Sequence, residues 1–367
     1  MFDRRLIQYF DWGLAAITAA LIASGLSTLY SATRADQINP QNLIFYRQMI
    51  WYGIGLGVMI VSFLFSYRKV DHYAYGCYWL CILLLIAVLL FGRYVAGSRR
   101  WLILGPISIQ PSEVMKLGII ILLSRYYSRI GTVHGLIFRD LVIPILLISI
   151  PCLLIVLQPD LGTAIMILLI AGSMTIFTGI EKKTLIYLLV FGAGACPVAW
   201  HFLKGYQKQR ILTFLTSDSD PLGAGYHIIQ SKIAIGSGQL FGKGFMKGTQ
   251  NALSFLPEQH TDFIFSVLAE DWGFWGSVGV LLLLLLIVVW GLNIAHGCRE
   301  PFGVLMAFGI STLIFWEVVI NIGMVMGLMP VVGIPLPFIS YGGSAVVLMM
   351  TSVGLLLNIS MRRFMFE

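Results

Sequence analysis

The sequence predicts an all-α, polytopic integral membrane protein, and three observations carry that prediction. Of its 367 residues, 58% are hydrophobic and only 11% charged, against roughly a quarter charged in ordinary globular domains. The mean hydropathy is +0.87. The apolar residues also come in continuous runs long enough to cross a hydrocarbon core, which takes ~20 helical residues, with ~17 as a lower bound. This composition excludes a conventional cytosolic enzyme, a disordered chain and a soluble nucleic-acid binder. A β-barrel is excluded as well, since it would show ~10-residue alternating segments. The net charge of +7, from 24 Lys+Arg against 17 Asp+Glu, is scattered between apolar runs, so no nucleic-acid partner is expected. Cys77, Cys81, Cys152, Cys196 and Cys298 fall mostly inside those runs and lack metal-ligand spacing.

About ten spans follow in order. They are Trp12–Ala32, Met49–Phe65, Ala74–Phe91, Pro111–Tyr127, Leu141–Leu157, Gly162–Gly179, Thr184–Leu203, Trp272–Ala295, Phe302–Gly323 and Gly343–Leu357. Arg4 and Arg5 precede a first run too long for a signal h-region, with no clear small-residue cleavage site. Orientation follows from basic residues in short loops. With the N-terminus in the cytoplasm, that side collects twelve of them, among them Arg68, Lys69, Arg125, Lys182, Lys183, Arg362 and Arg363. The opposite side collects six, among them Arg34, Arg47, Arg93 and Lys116. Both termini are therefore expected in the cytoplasm. Residues 1–367 read as a single transmembrane domain, with one large outer loop, 204–262, between the seventh and eighth spans. That loop carries Lys204, Lys208, Arg210, Lys232, Lys243 and Lys247, and an anionic ligand is one explanation for charge on the outer face. Its mixture of Gly and Ile fits an ordered, interfacial element or a connector hugging the membrane.

Polar residues cluster at four places. Gln110-Pro111-Ser112-Glu113 opens the fourth span, and Gln158-Pro159-Asp160-Leu161-Gly162-Thr163 opens the sixth. His260-Thr261-Asp262 precedes the eighth, and Ser340-Tyr341-Gly342-Gly343-Ser344 opens the tenth. Even-numbered spans run from outside to inside, so all four motifs share the outer face. Each lies at a helix N-terminus, whose free N–H groups and positive dipole end favour anions. Glu113 and Lys116, three apart, share a helix face, either as a local ion pair at the interface or as ligand-binding groups. Lys116 lies close to a helix end, so Lys116→Ala is expected to spare folding. Arg100-Trp101 either holds a headgroup or anchors the interface. Asp160 caps the sixth helix, positions a ligand, or does both.

Glu258, His260 and Asp262 alternate, yet one His with two carboxylates makes a weak metal site, and no metal ligand is assigned. A single carboxylate, Asp262, kept ionised by the helix dipole, reads as a general base; the bland alternative is an N-cap. Pro330, Pro335 and Pro337 exclude a regular helix before Ser340, which leaves irregular backbone buried in protein or lining a wet cavity. Glu317, inside the ninth span, is either functional or the partner of a neighbouring helix.

These motifs resemble the SEDS family of cell-wall proteins. The resemblance rests on Gly97 to Trp101, the Gln110–Glu113 stretch with Lys116, and Gln158 to Ala164. Gly223 to Gly238, Phe255 to Phe265 and Pro335 to Ala345 extend it over nearly the whole chain, and the RodA branch fits better than the FtsW branch. The resemblance implies a peptidoglycan glycosyltransferase of the bacterial cytoplasmic (inner) membrane, active on the outer face. Its substrate would be lipid II, a disaccharide-pentapeptide on polyprenyl pyrophosphate. Its partners would be a class B penicillin-binding transpeptidase and other elongation-complex membrane proteins. It places the essential carboxylate at Asp262, the basic residue of the fourth helix at Lys116 and the second carboxylate at Asp160. Asp271, where relatives often carry Glu, is a departure that touches none of this chemistry.

Inverting displacement of polyprenyl pyrophosphate needs one base, Asp262, and no enzyme nucleophile. Lys116, Glu113, Asp160, Arg210, Arg100, Trp101, Thr261 and Ser340 are the substrate-binding candidates. No cofactor is assigned; a divalent cation such as Mg²⁺, carried partly on substrate phosphates, would suit the chemistry. The competing expectations are a flippase or transporter of a lipid-linked precursor, and a non-catalytic scaffold.

Overall fold

Runs of Leu, Ile, Val and Phe with no polar face have one stable form in lipid, the helix, because only it satisfies every backbone group within the segment. The computed structural model describes residues 9–34, 42–95, 98–104, 107–130, 135–202, 205–215, 224–252 and 259–363. Its helices are α1 (Trp12–Arg34), α2 (Asn42–Leu64), the short α3 (Tyr67–His72), α4 (Ala74–Phe91), α5 (Pro111–Ser128), α6 (Phe138–Leu157), α7 (Leu161–Thr178) and α8 (Lys182–Phe202). The loop region then holds α9 (Gly205–Leu215), α10 (Ala224–Ser237) and α11 (Thr249–Ala252), before α12 (Ile264–Gly297), α13 (Pro301–Val325) and α14 (Gly343–Arg362). Every predicted span coincides with a helix. Among the described residues, eight helices are long and apolar enough to cross a membrane on those grounds alone. The other two are α5, which carries Glu113, Lys116 and Arg125, and α8. Arg4, Arg5, Gly97, Lys204 and Phe255 to Glu258 lie outside the described residues.

Three helices form the interior. Pro111 and Pro301 start α5 and α13 at the position where a missing N–H costs nothing. Both helices are buried along most of their length, and α14 is buried nearly all round. In contrast, α2 buries only Gln48, Tyr52 and Gly55 and turns the rest of its surface outward, where lipid would lie. That one buried stripe runs along α14, and it is polar enough to hold the irregular segment before α14. Gln48 Nε2 donates to the Ser340 carbonyl at 3.2 Å, and the Tyr52 hydroxyl donates to the Phe338 carbonyl.

Two departures from the sequence reading bear on the site. First, the region around Arg99–Trp101 is a small antiparallel sheet of β1 (Arg93–Val95), β2 (Ser98–Leu104) and β3 (Ile107–Ile109), in the order β1-β2-β3. Tyr94 pairs with Arg99 and Ile103 with Ser108. It is the one sheet among the described residues, and the hairpins are too short for a hydropathy reading to find. Second, α12 starts at Ile264, not Trp272. Glu270 and Asp271 suggest a helix still outside the membrane, but both are buried on α12. The Glu270 carboxylate accepts from Lys243 Nζ at 2.7 Å and from the Gln250 N–H at 3.0 Å. A buried carboxylate is tolerated when it is paired and hydrogen-bonded in this way. The same loop presses on Gly273, whose φ of +67° kinks α12 where the backbone of Leu240–Gly242 comes close.

Candidate active site

All four polar motifs converge on one cavity of about 300 Å³. The N-terminal turns of α5 and α7, the Thr261-Asp262 turn before α12, the Val332–Pro335 segment and the start of α14 form the walls. Arg100 and Trp101 enter from β2, and Arg210 from α9.

Asp160 is the N-cap of α7, so the capping reading describes its backbone role, and its carboxylate does more than cap. Oδ1 accepts from the Thr163 N–H at 3.4 Å, while Oδ2 accepts from Thr163 Oγ1 at 2.9 Å and Gln110 Nε2 at 3.1 Å. Arg100 Nη1 stands 3.6 Å from Oδ1, and Arg100 also donates to the Pro159 carbonyl. Asp160 thus ties the α5 start, the α7 start and β2 together at one edge of the cavity.

Lys116 is the deepest charge. Its ammonium lies 2.9 Å from Glu113 Oε2 on the same helix and 2.5 Å from Glu317 Oε1 on α13, with Lys116 and Glu317 both only 1% exposed. The expected pair within α5 is present, but it does not snorkel to an interface. It is a buried triad, and Glu317 is the member missing from the sequence-predicted set. An intramembrane carboxylate was the available signal; its partner, 201 positions away, was not readable. Two carboxylates and one ammonium sum to a net negative charge. The ammonium donates to Glu317 Oε1 and is ion-paired with Glu113, and Lys116 also lines the cavity.

Asp262 stands one residue outside α12, whose N-cap is Phe263, so the N-cap alternative for Asp262 does not apply. Asn321 Nδ2 donates to the Asp262 main-chain carbonyl at 3.1 Å and to the Ile334 carbonyl at 2.7 Å, clamping the Asp262 turn to the proline-rich segment. Gly333 lies directly beneath the carboxylate. Its φ is +75°, and a Cβ there would sit 3.2 Å from Asp262 Oδ2. A larger residue would therefore be strained and would crowd the carboxylate.

Ser340 is placed differently from the other candidates. It is buried outside the cavity lining, accepts from the Leu336 N–H at 2.8 Å and donates to the Thr261 carbonyl at 2.6 Å. The Tyr341 N–H donates to the His260 carbonyl at 2.9 Å beside it. Ser340 shapes the Thr261-Asp262 turn from behind. Lys116, Glu113, Asp160, Arg210, Arg100, Trp101, Thr261 and Asp262 all line the cavity, as do Gln110, Thr163, Tyr341 and Ser344, members of the same motifs that were not among the substrate-binding candidates. No group of three or more His, Cys, Asp and Glu side chains among the described residues is arranged to hold a metal ion.

The family model for FtsW, RodA and SpoVE, described as cell cycle proteins, matches residues 12–364. This chain belongs to the FtsW/RodA/SpoVE family. Among its relatives, the peptidoglycan glycosyltransferase MrdB of Escherichia coli (strain K12) is 41% identical over 97% of this chain and 95% of its own length. Among solved structures, the rod shape determining protein RodA of Thermus thermophilus is 31% identical, with a TM-score of 0.72 over 97% of this chain and 98% of that one. A chain from a peptidoglycan synthase complex that coordinates polymerization and crosslinking reaches a TM-score of 0.84 at 33% identity, again over 97% and 98%. The SEDS resemblance is therefore correct, and it extends over nearly the whole chain.

Proposed function

We propose that this FtsW/RodA/SpoVE-family chain is a peptidoglycan glycosyltransferase of the elongation type, polymerising lipid II at the cavity around Asp262. One observation carries the assignment to this cavity: a carboxylate on an irregular turn and the cations Arg100, Arg210 and Lys116 line the same 300 Å³ space. The names of the similar proteins support the reaction class.

The chemistry follows from the residues. Asp262 accepts the proton of the acceptor sugar hydroxyl as its oxygen attacks the donor's anomeric carbon. The bond from that carbon to the pyrophosphate oxygen breaks, and the configuration inverts in a single displacement. Negative charge grows on the departing lipid pyrophosphate, and preorganised cations stabilise it more in a partly dry site than in water. Lys116 already answers Glu113 and Glu317, so it contributes one directed N–H. Net positive charge falls to Arg100 and Arg210 at the cavity edge. Gly333 and Asn321 hold the base in place. Mg²⁺, if used, would ride on the substrate phosphates.

The cavity is assigned to the outer face of the bacterial cytoplasmic membrane, with both termini inside. The partner is assigned as a class B penicillin-binding transpeptidase, in keeping with the synthase complex that this fold resembles. The test is polymerisation of fluorescent lipid II by purified protein together with its candidate transpeptidase. Glycan strands that vanish in Asp262→Asn support the reading. Absence of polymer from the wild type with a competent partner removes it and leaves the flippase and scaffold readings.

A further inference from the structure

Glu317 stands behind the cavity and not in its wall. It is absent from the lining, and its carboxylate acts on that space through the Lys116 ammonium, 2.5 Å away. Stability does not ask for it. Glu113, at 2.9 Å, already balances the charge of Lys116, and a further buried carboxylate has a desolvation penalty that its attraction to a shared ammonium need not repay. A neutral acceptor would satisfy the same donor. Nor can Glu317 swing away from its partner. One turn further along α13, Asn321 donates to the Asp262 and Ile334 carbonyls at 3.1 and 2.7 Å. Roughly two turns earlier, Gly309 lets α13 approach α5 and α7 so closely that a Cβ would sit 2.6 Å from Ile120 and 3.0 Å from Met174.

The charge of the cavity gives this carboxylate a use. Among the described residues, three cations of the lining, Arg100, Lys116 and Arg210, face three carboxylates, Glu113, Asp160 and Asp262. With all six ionised the lining is neutral, and Glu317 behind it makes the site net negative. During the displacement the acceptor's proton passes to Asp262, whose charge disappears. The departing lipid pyrophosphate, no longer esterified to the sugar, gains a negative charge. Without Glu317 the site would then be net positive while its ligand is most anionic, and it would retain the product. With Glu317 the site is neutral at that stage. We infer that Glu317 is a positioning residue for product release: fixed behind Lys116, its charge keeps the cavity from holding the lipid pyrophosphate more tightly after the displacement than before it. This role rests on the glycosyltransferase reading and extends it from the chemical step to the release of product, a step that limits turnover in many enzymes.

The test uses the detergent-solubilised full chain at pH 7.5 with EDTA, so that no divalent cation carries the charge. Calorimetry measures two probes, inorganic pyrophosphate and its symmetrical dimethyl diester, which has less negative charge. Wild type binds the two within ~3-fold of each other. Glu317→Gln keeps an acceptor oxygen for Lys116 and removes the charge. Inorganic pyrophosphate should then bind ~10-fold more tightly than to wild type, the effect of one elementary charge across the ammonium in a partly hydrated site, and should be preferred over the diester. Glu317→Asp retains the charge and should keep wild-type affinity. The role is overturned by a ~10-fold preference for pyrophosphate in wild type, by unchanged affinity in Glu317→Gln, or by equal tightening in Glu317→Asp. Unfolding of Glu317→Gln well below the wild-type temperature also overturns it, because the charge would then be structural. Lipid II polymerisation in the same preparation separates the two readings. Added pyrophosphate should inhibit Glu317→Gln at ~10-fold lower concentration than wild type. Polymer formed with equal inhibition of both sinks the role of Glu317 alone. Tighter pyrophosphate binding in a chain that makes no polymer sinks the polymerase reading and retains Glu317 as the residue that limits anion affinity.

Discussion

Lys116→Ala is expected to cost stability, against the sequence expectation that a residue near a helix end can be removed without harm to folding. The ammonium is 1% exposed and sits 2.5 Å from Glu317 and 2.9 Å from Glu113. Removing it leaves two carboxylates facing each other across α5 and α13 with no counter-charge. Breaking a buried pair from one side costs about 3–5 kcal/mol. The cavity brings some water to Lys116 and Glu113, which places the loss near ~3 kcal/mol, the lower end of that range. At roughly 2–4 °C per kcal/mol, unfolding should come on the order of 10 °C earlier. A second substitution supplies the decisive control. In Lys116→Ala/Glu317→Gln one of the stranded charges is gone, so the double variant should regain at least half of the lost stability, a coupling that a pair of unrelated sites would not show. Thermal unfolding in detergent, followed by intrinsic Trp fluorescence and run at pH 7.5, measures Lys116→Ala, Glu317→Gln, the double variant and wild type. If Lys116→Ala unfolds at the wild-type temperature, or if Glu317→Gln adds its own loss to it, the buried triad does not hold and the charge argument built on it fails.

Asp262→Asn keeps shape and main-chain contacts, including the Asn321 hydrogen bond to the Asp262 carbonyl, so it should unfold like wild type. Lipid II polymerisation should fall by ~10²–10⁴, the usual worth of a general base, and a folded variant retaining near-normal rate would eliminate the assignment. Ser340→Ala strands the Leu336 N–H and frees the Thr261 carbonyl, costing about 1–3 kcal/mol. Polymerisation by that variant should lose kcat with KM unchanged, whereas a rise in KM alone would mean that Ser340 touches substrate after all. Single cysteines at Lys232, exposed on α10, and at Lys182, at the start of α8, should react with impermeant thiol reagent from opposite sides of the membrane, Lys232 from outside. Labelling of both from the same side would displace the site from the outer face.

The spans and the polar motifs were legible in the sequence because the bilayer imposes them locally. A crossing helix must be a continuous apolar run, and a Gln-Pro or Asp at its start announces itself wherever the rest of the chain goes. The gathering of Glu113, Lys116, Asp160 and Asp262 on one side followed from the same local rule, counted through successive crossings. Other features belonged to the tertiary structure alone. Hydropathy ended the eighth span at Glu270 and Asp271, since a charge weighs against lipid whatever surrounds it, while in the fold Lys243 and the Gln250 N–H satisfy Glu270 and the helix continues to Ile264. Ser340 looked like its neighbours in the motif, yet its hydroxyl turns to the Thr261 carbonyl and away from the cavity. Glu317 became part of the site only when α13 lay against α5. In each case the energy of a charge or a hydroxyl depends on which partner stands within about 3 Å, and that partner comes from a distant stretch of chain whose position is decided by packing.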